Sequence, residues 1–260
     1  MNQSRTFRLL ALIALVFPFC PALLHAQDAG NGITPVDGGG RGVLESIYVP
    51  NFPNAPFTLT LNTEWIQNLS NGGTFTEVNN RPIMRDGAGR IYQERWLLVP
   101  KGSGIASQMT TIQIDDPVAH MFYNCFVRAK VCEITTSVMG LAHYDADRMK
   151  SGPLKNGKGT FEHEDLGPRT LAGIPVHAYR DTTTIEAGAL GNDVAMATVR
   201  EFSYSPELGF NLSSTLDAAQ VGRQVFTVTD LSTNEPDPKF FQPPDGYKLV
   251  DRRKPAPPRQ

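Results

Sequence analysis

An all-β fold of antiparallel strands is the architecture this sequence predicts, and three features carry that expectation. Apolar and polar residues alternate with a period of two, turn signals rich in Gly and Asn recur between short runs, and helical spacing is nearly absent. Strands set this close together pair as hairpins, whereas βαβ units would need a helix between successive strands. No long-period repeat is visible, so neither a propeller nor a solenoid is expected.

The elements follow in order. Over residues 57–69, Phe57, Leu59, Leu61, Thr63, Trp65 and Leu69 fall on one face; Thr58, Thr60, Asn62 and Glu64 fall on the other. Ser70-Asn71-Gly72-Gly73 supplies a turn that tolerates positive φ. Residues 74–84 are poor in apolar side chains and carry Asn79, Asn80 and Pro82, which predicts an exposed edge strand. Asp86-Gly87-Ala88-Gly89 then turns the chain into a strand over 91–99. Strands over 110–114, 120–127 and 131–137 come next, with Asp115-Asp116-Pro117 as a break between the first two. Residues 161–165 read as a solvated charged loop after the Gly/Lys-rich stretch 151–159, and the last strands are expected over 173–185, 194–204, 210–215 and 221–231. The best helical candidate is 139–150, interrupted by Gly140. Trp65, Phe75, Tyr92, Trp96, Phe202, Phe210 and Phe226 are the large residues expected to fill the core. Each such side chain contributes about 1.5–3 kcal/mol when buried.

The first 26 residues read as a secretory signal peptide. Arg5 and Arg8 form a basic head, residues 9–17 an apolar middle, and Leu24-His25-Ala26 a small-residue exit before Gln27. Cleavage is expected between Ala26 and Gln27. The expected organisation is then a signal at 1–26, a flexible Gly-rich lead-in at 27–42, one β domain at 43–251, and a disordered basic, proline-rich tail at 252–260. Losing the two arginines moves the formal charge from −2 to −4. That balance argues against nucleic acid and anionic membrane surfaces as partners. No second apolar run approaches the roughly 20 residues of a membrane span. The expected location is the periplasm or the exterior of a Gram-negative bacterium.

Cys20 falls within the signal, where Phe17-Pro18-Phe19-Cys20 is a poor lipidation site. Cys125 and Cys132 remain, an even pair placed symmetrically about Arg128-Ala129. If residues 127–130 turn the chain, the two sulfurs face each other across a hairpin, and an oxidising compartment favours a disulfide. Two separate buried thiols are the alternative reading. A redox role is disfavoured, because the spacing is not C-x-x-C and no His is adjacent.

No catalytic, cofactor-binding or metal motif survives scrutiny. Phe161-Glu162-His163-Glu164-Asp165 lacks the i, i+4 spacing of H-E-x-x-H. His143-Tyr144-Asp145-Ala146-Asp147 resembles the start of a calcium loop but has Lys150 where the turn requires Gly. Lys101-Gly102-Ser103-Gly104 lacks the frame of a nucleophile elbow. The Gly-rich stretch 186–192 carries no phosphate-binding pattern. A hydrolase would need His163 or His143 to converge with acids from other segments.

Several strings carry a resemblance when taken in order. They are Arg85–Arg90 with Glu94, Ile114–Ala119, Glu164–Gly167 with Leu171–Val176, and Thr184–Gly188 with Gly191-Asn192, followed by Glu201–Ser205 and Asn234–Pro238 with Phe240-Phe241. From Phe57 to Asp251 the chain resembles a group of exported bacterial proteins of unknown function, numerous in acidobacteria. That group usually has a polar turn where this chain has the Cys125/Cys132 hairpin. The closing stretch 241–250 and the entry Gly173-Ile174-Pro175-Val176 are similar to lipoprotein-carrier-like periplasmic proteins. This second resemblance implies a strongly curved antiparallel sheet, a half-barrel over an apolar groove, with a two-sheet sandwich as the runner-up.

The expected function is that of a non-catalytic cell-envelope protein that holds a lipid or lipoprotein in a concave groove. The alternative is a structural or interaction module that docks an envelope protein through the edge at 74–84 or the tail at 252–260.

Overall fold

Fourteen strands hydrogen-bond into one sheet. The computed structural model describes Leu44, residues 46–137 and residues 144–253, all within one unit spanning Gly42–Gln260. The strands are β1 (Phe57–Asn68), β2 (Thr74–Arg85), β3 (Ile91–Trp96), β4 (Val99–Pro100), β5 (Met109–Asp116), β6 (Met121–Phe126) and β7 (Val131–Thr136). They continue as β8 (Gly152–Pro153), β9 (Gly159–Leu171), β10 (Ile174–Ile185), β11 (Met196–Ser205), β12 (Phe210–Ala218), β13 (Gly222–Ser232) and β14 (Lys248–Asp251). Their spatial order is β14-β7-β6-β5-β3-β2-β1-β13-β12-β11-β10-β9-β8, with β4 paired to β2 off this path. The sheet is curved and does not close, and every pairing is antiparallel except β14 with β7.

Two meanders make this sheet. β2 to β7 form one and β8 to β13 the other, and β1 joins them by pairing with β2 on one side and β13 on the other. The alternation read over 57–65 is the burial pattern of β1, where Phe57, Leu59, Leu61, Thr63 and Trp65 are buried. Leu69 lies beyond the strand in the turn and is exposed.

Residues 74–84 are not an edge. β2 pairs with β1 along its whole length, because the Ser70–Gly73 turn folds it straight back. Its other side is only partly paired: β4 takes Glu77 and Val78, and β3 takes Ile83, Met84 and Arg85. Pro82, which has no N–H to donate, falls in the gap. Asp115 and Asp116 belong to β5, and Asp116 forms the turn by accepting the N–H groups of Val118 and Ala119. The expected charged loop at 161–165 is strand: β9 runs for 13 residues beside β10. Of the expected helix at 139–150, the described part is a single 3-10 turn over Ala146–Arg148, started by Asp145, whose carboxylate accepts from Asp147 N–H. His143 lies outside the described residues, as do 1–43 and with them the signal, Cys20, Ala26, Gln27 and nearly all of the lead-in. The tail begins ordered. Arg252 donates its N–H to Ile134 O and its guanidinium to Glu133, while residues 254–260 lie outside the described residues.

The core has two parts. One gathers Phe57, Leu59, Leu61, Ile83, Ile91, Phe210, Leu212, Phe226 and Val228, with Ile47 and Val49 from the extended segment before β1. The other gathers Tyr92, Ile112, Ile114, Cys125 and Cys132 under Phe241 of a 3-10 turn at Pro238–Phe241. Cys125 and Cys132 stand directly opposite each other on β6 and β7 and are joined as a disulfide. Five of the seven large residues expected inside are buried; Phe75 is exposed and Trp96 half-buried, since both lie near strand ends.

Candidate functional site

Directly opposite residues on antiparallel strands share a face. The register therefore traces rows across the sheet. One row reads Asp165, Tyr179, Phe202, Ser214, Phe226, Thr63, Asn79. Another reads Leu59, Ile83, Gln93, Gln113, Asn124, Glu133. Both rows lie on the face that carries the buried side chains of β1, here called the inner face. It is apolar in the middle and polar at both ends.

The middle is packed. The segment from Ser46 to Ala55 lies along it as a strap: Ile47 and Val49 join the core, and Arg85 holds the strap down. Arg85 is fully buried and donates to Ala55 O at 3.0 Å, Pro50 O at 3.0 Å and Leu208 O at 2.7 Å. Its guanidinium also lies over the rings of Phe57, Phe52 and Phe210.

At the β9–β11 end, two His–carboxylate pairs flank Tyr179. His163 Nδ1 lies 2.6 Å from Asp181 Oδ1, and His177 Nε2 lies 2.5 Å from Asp165 Oδ1. Both imidazoles stack on Tyr179, with centroids 5.3 and 4.8 Å away. Tyr144 packs against Tyr179, Phe202 and Tyr204, and burial pushes its phenol well above the usual range. The His177 bond, with help from Gly167 N–H, holds the Asp165 carboxyl below the ordinary range. Sequence reasoning singled out His163 but not its partner. His163 and Asp181 are 18 residues apart and meet only because β9 pairs with β10.

At the other end the groups are cationic. Ile83 faces Gln93 as the last β2–β3 pair, and just past it Arg81 reaches Glu94 O and lies near Arg95. Arg81 is 4% exposed and donates to Ser46 Oγ at 2.7 Å, Gln93 Oε1 at 3.2 Å and Glu94 O at 3.4 Å. Arg95 donates to Gln113 Oε1 at 2.8 Å, and Gln113 passes a bond to Asn124. Every one of these acceptors is neutral. Burial, with the Arg95 charge nearby, pulls Arg81 down to about 9. Burial lowers Arg95 as well. Nothing in the local sequence marks Arg81 or Arg95 as special, and only the register brings them together.

A cleft of about 420 Å³ opens beside β1, β2 and β13, lined by Asn62, Glu64, Asn79, Asn80, Thr227 and Ser107 with three valines. Its lining mixes these polar side chains with the apolar surface of the valines. No group of His, Cys, Asp and Glu able to hold a metal occurs among the described residues. No described helix is long and apolar enough to cross a membrane.

With this geometry in hand, comparison with known proteins gives similarity to solved structures alone. No family model matches the chain, and no curated protein matches it in sequence. Among solved structures it is similar to an uncharacterized conserved protein from Thermus thermophilus, at 10% identity and a TM-score of 0.40, covering 78% of this chain and 93% of that one. It is similar to MucB at 15% identity and a TM-score of 0.35, covering 75% of this chain and 60% of MucB. It is similar to the Mycobacterium tuberculosis lipoprotein LppX at 13% identity and a TM-score of 0.23, covering 71% of this chain and 88% of LppX.

Proposed function

We propose that this is a non-catalytic, exported protein of the cell envelope that binds an apolar or amphiphilic ligand, a lipid or the acylated end of a lipoprotein, on its inner face. The observation that carries this reading is how that face is covered. Its apolar middle lies under a single extended strap, not under a second sheet. A strap that is one segment of chain can give way to a ligand without displacing a whole packed layer. Export is supported by the basic-apolar-small pattern of residues 1–26 and by the disulfide, since disulfides persist in oxidising compartments. The ordered strings from Arg85 to Phe241 support kinship with the acidobacterial-type exported group. A non-catalytic role is supported by the dyads: among the described residues, no hydroxyl or thiol nucleophile is bonded to the imidazole of His163 or of His177.

The test is native mass spectrometry of the mature protein purified from its own envelope, followed by denaturing extraction. A lipid or acyl species stoichiometric with protein is the expected result. A bare chain, under conditions that retain ligand on a known lipid carrier, overturns it.

A second reading, an interaction module of the envelope, is favoured by the packed state of the inner face. Residues 74–84 are paired along one side by β1 and on the other in part by β3 and β4, which leaves no free strand edge there, so docking falls to the C-terminal tail or the long edge of β9. That edge carries Glu162, Glu164, Pro168 and a bulge at 178/179 of its partner, features that discourage strand addition.

A further inference from the structure

Arg81 and Arg95 lie on neighbouring strands just past the last β2–β3 pair, Ile83 with Gln93, close enough for the Arg95 charge to act on Arg81, and like charges so placed repel. A buried cation is ordinarily paired with a carboxylate, because desolvation without a counter-charge is costly. Here the carboxylates nearby on β3, β2 and β7 are all engaged elsewhere. Glu94 points to the other face of β3, where Tyr92 Oη and Trp96 Nε1 each donate to it at 2.6 Å. Glu77 accepts from Gln67, and Glu133 accepts from Arg252. Among the described residues, Arg81 and Arg95 therefore bond only to neutral oxygens: a hydroxyl, two amides and a carbonyl.

One of those acceptors is the most readily replaced. Ser46 belongs to the strap, while Gln93, Glu94 and Gln113 are built into β3 and β5. A charged acceptor in place of Ser46 Oγ would form stronger, charge-assisted bonds with the same donors. The apolar stretch begins at once beside it, since Leu61 is directly opposite Arg81 and Val228 directly opposite Leu61.

We infer that Arg81 and Arg95 receive the oxyanion of an amphiphile, a carboxylate or a phosphate ester, whose chain lies along Leu61 and Val228 in the place of the strap. This rests on the ligand-binding reading above and adds the class of head group. The planar guanidinium of each arginine offers paired donors suited to such an oxyanion. Gln93 and Gln113 hold the two forks in place.

The experiment is calorimetric titration of the delipidated mature protein with oleate, with monoolein as the uncharged ligand of the same chain, and with inorganic phosphate. Oleate is expected to bind at least about tenfold more tightly than monoolein. Arg95→Gln, at a half-buried position where the fold tolerates the change, is expected to weaken oleate about tenfold and monoolein less than about twofold. Arg81→Lys keeps the charge and is expected to retain most of the preference. A thermal melt of each variant confirms folding. Equal binding of oleate and monoolein, unchanged in Arg95→Gln, overturns the head-group inference and leaves the ligand-binding reading standing. Binding of neither lipid, with no phosphate binding, overturns both. Arg95-dependent phosphate binding without either lipid supports the oxyanion site, identifies its source as a free anion and overturns the amphiphile reading.

Discussion

Arg85 donates from its guanidinium to the backbone carbonyl of Leu208 at 2.7 Å, across 123 residues of chain. The bond ties the end of β2 to the turn between β11 and β12, and the same side chain holds the strap at Pro50 and Ala55. Replacing Arg85 with Ala strands three buried carbonyls and removes the contacts with Phe57 and Phe210. A loss of about 3 kcal/mol or more in urea unfolding is expected. Arg85→Lys should recover only part of it, because an ammonium cannot span three separate carbonyls in one plane.

The Cys125–Cys132 disulfide closes a short hairpin within the second core part. Chain-entropy arguments give such a loop about 2–3 kcal/mol. The double variant Cys125→Ala with Cys132→Ala should lose that amount and remain folded. Alkylation of the unreduced, denatured protein should label neither cysteine of the wild type.

Asp115 is 1% exposed, and neither carboxylate oxygen has a well-formed hydrogen bond. Burial pushes its carboxyl up, and the nearby Ser137 and Asn51 offset only part of the effect. Because the folded state holds the proton more tightly than the unfolded chain, Asp115 costs stability as pH rises from about 4 through its folded value. Asp115→Asn also offers a donor to the unsatisfied Asn51 Oδ1. The variant is expected to gain about 1 kcal/mol at pH 7 and nothing at about pH 3.5, which urea melts at the two pH values will show.

Gly222 sits at φ +78°, and a Cβ there would stand 2.2 Å from Ile66 O. The position admits no side chain, because β13 starts its approach to β1 at this residue. Gly222→Ala is expected to cost at least about 2 kcal/mol. Gly102, also at positive φ, has nothing within 4 Å of an added Cβ. Gly102→Ala should cost only the backbone strain, about 1 kcal/mol, and paired urea melts of the two variants will separate the effects.

The β class and most strands were legible because side-chain alternation is local; Phe57 to Trp65 announce a face with no knowledge of neighbours. The cysteine hairpin was legible for the same reason. What was missed depends on pairing. β9 looks like a charged loop because its side chains are mostly polar: as a sheet edge it needs few apolar residues, and its pattern reports exposure more than conformation. β2 looks like an edge because its polar residues face a gap between β3 and β4. The polar ends of the inner face were out of reach altogether. Arg81 and Arg95 are unremarkable until two strands lie side by side, and His177 means little until Asp165 arrives from the next strand.

The pairing of β1 with β13 fixes when the molecule can become whole. Each meander is assembled from neighbours in sequence and can form as soon as it leaves the ribosome or a translocation pore. The seam between them brings Thr60 to Thr229, and no earlier strand can substitute. Contacts of such span are the slow step of β-protein folding. Until residue 232 has emerged, Leu59, Leu61 and Trp65 have no permanent neighbour on that side. The half-made chain therefore passes through an interval in which its stickiest strand is uncovered on one side, the state most prone to aggregate.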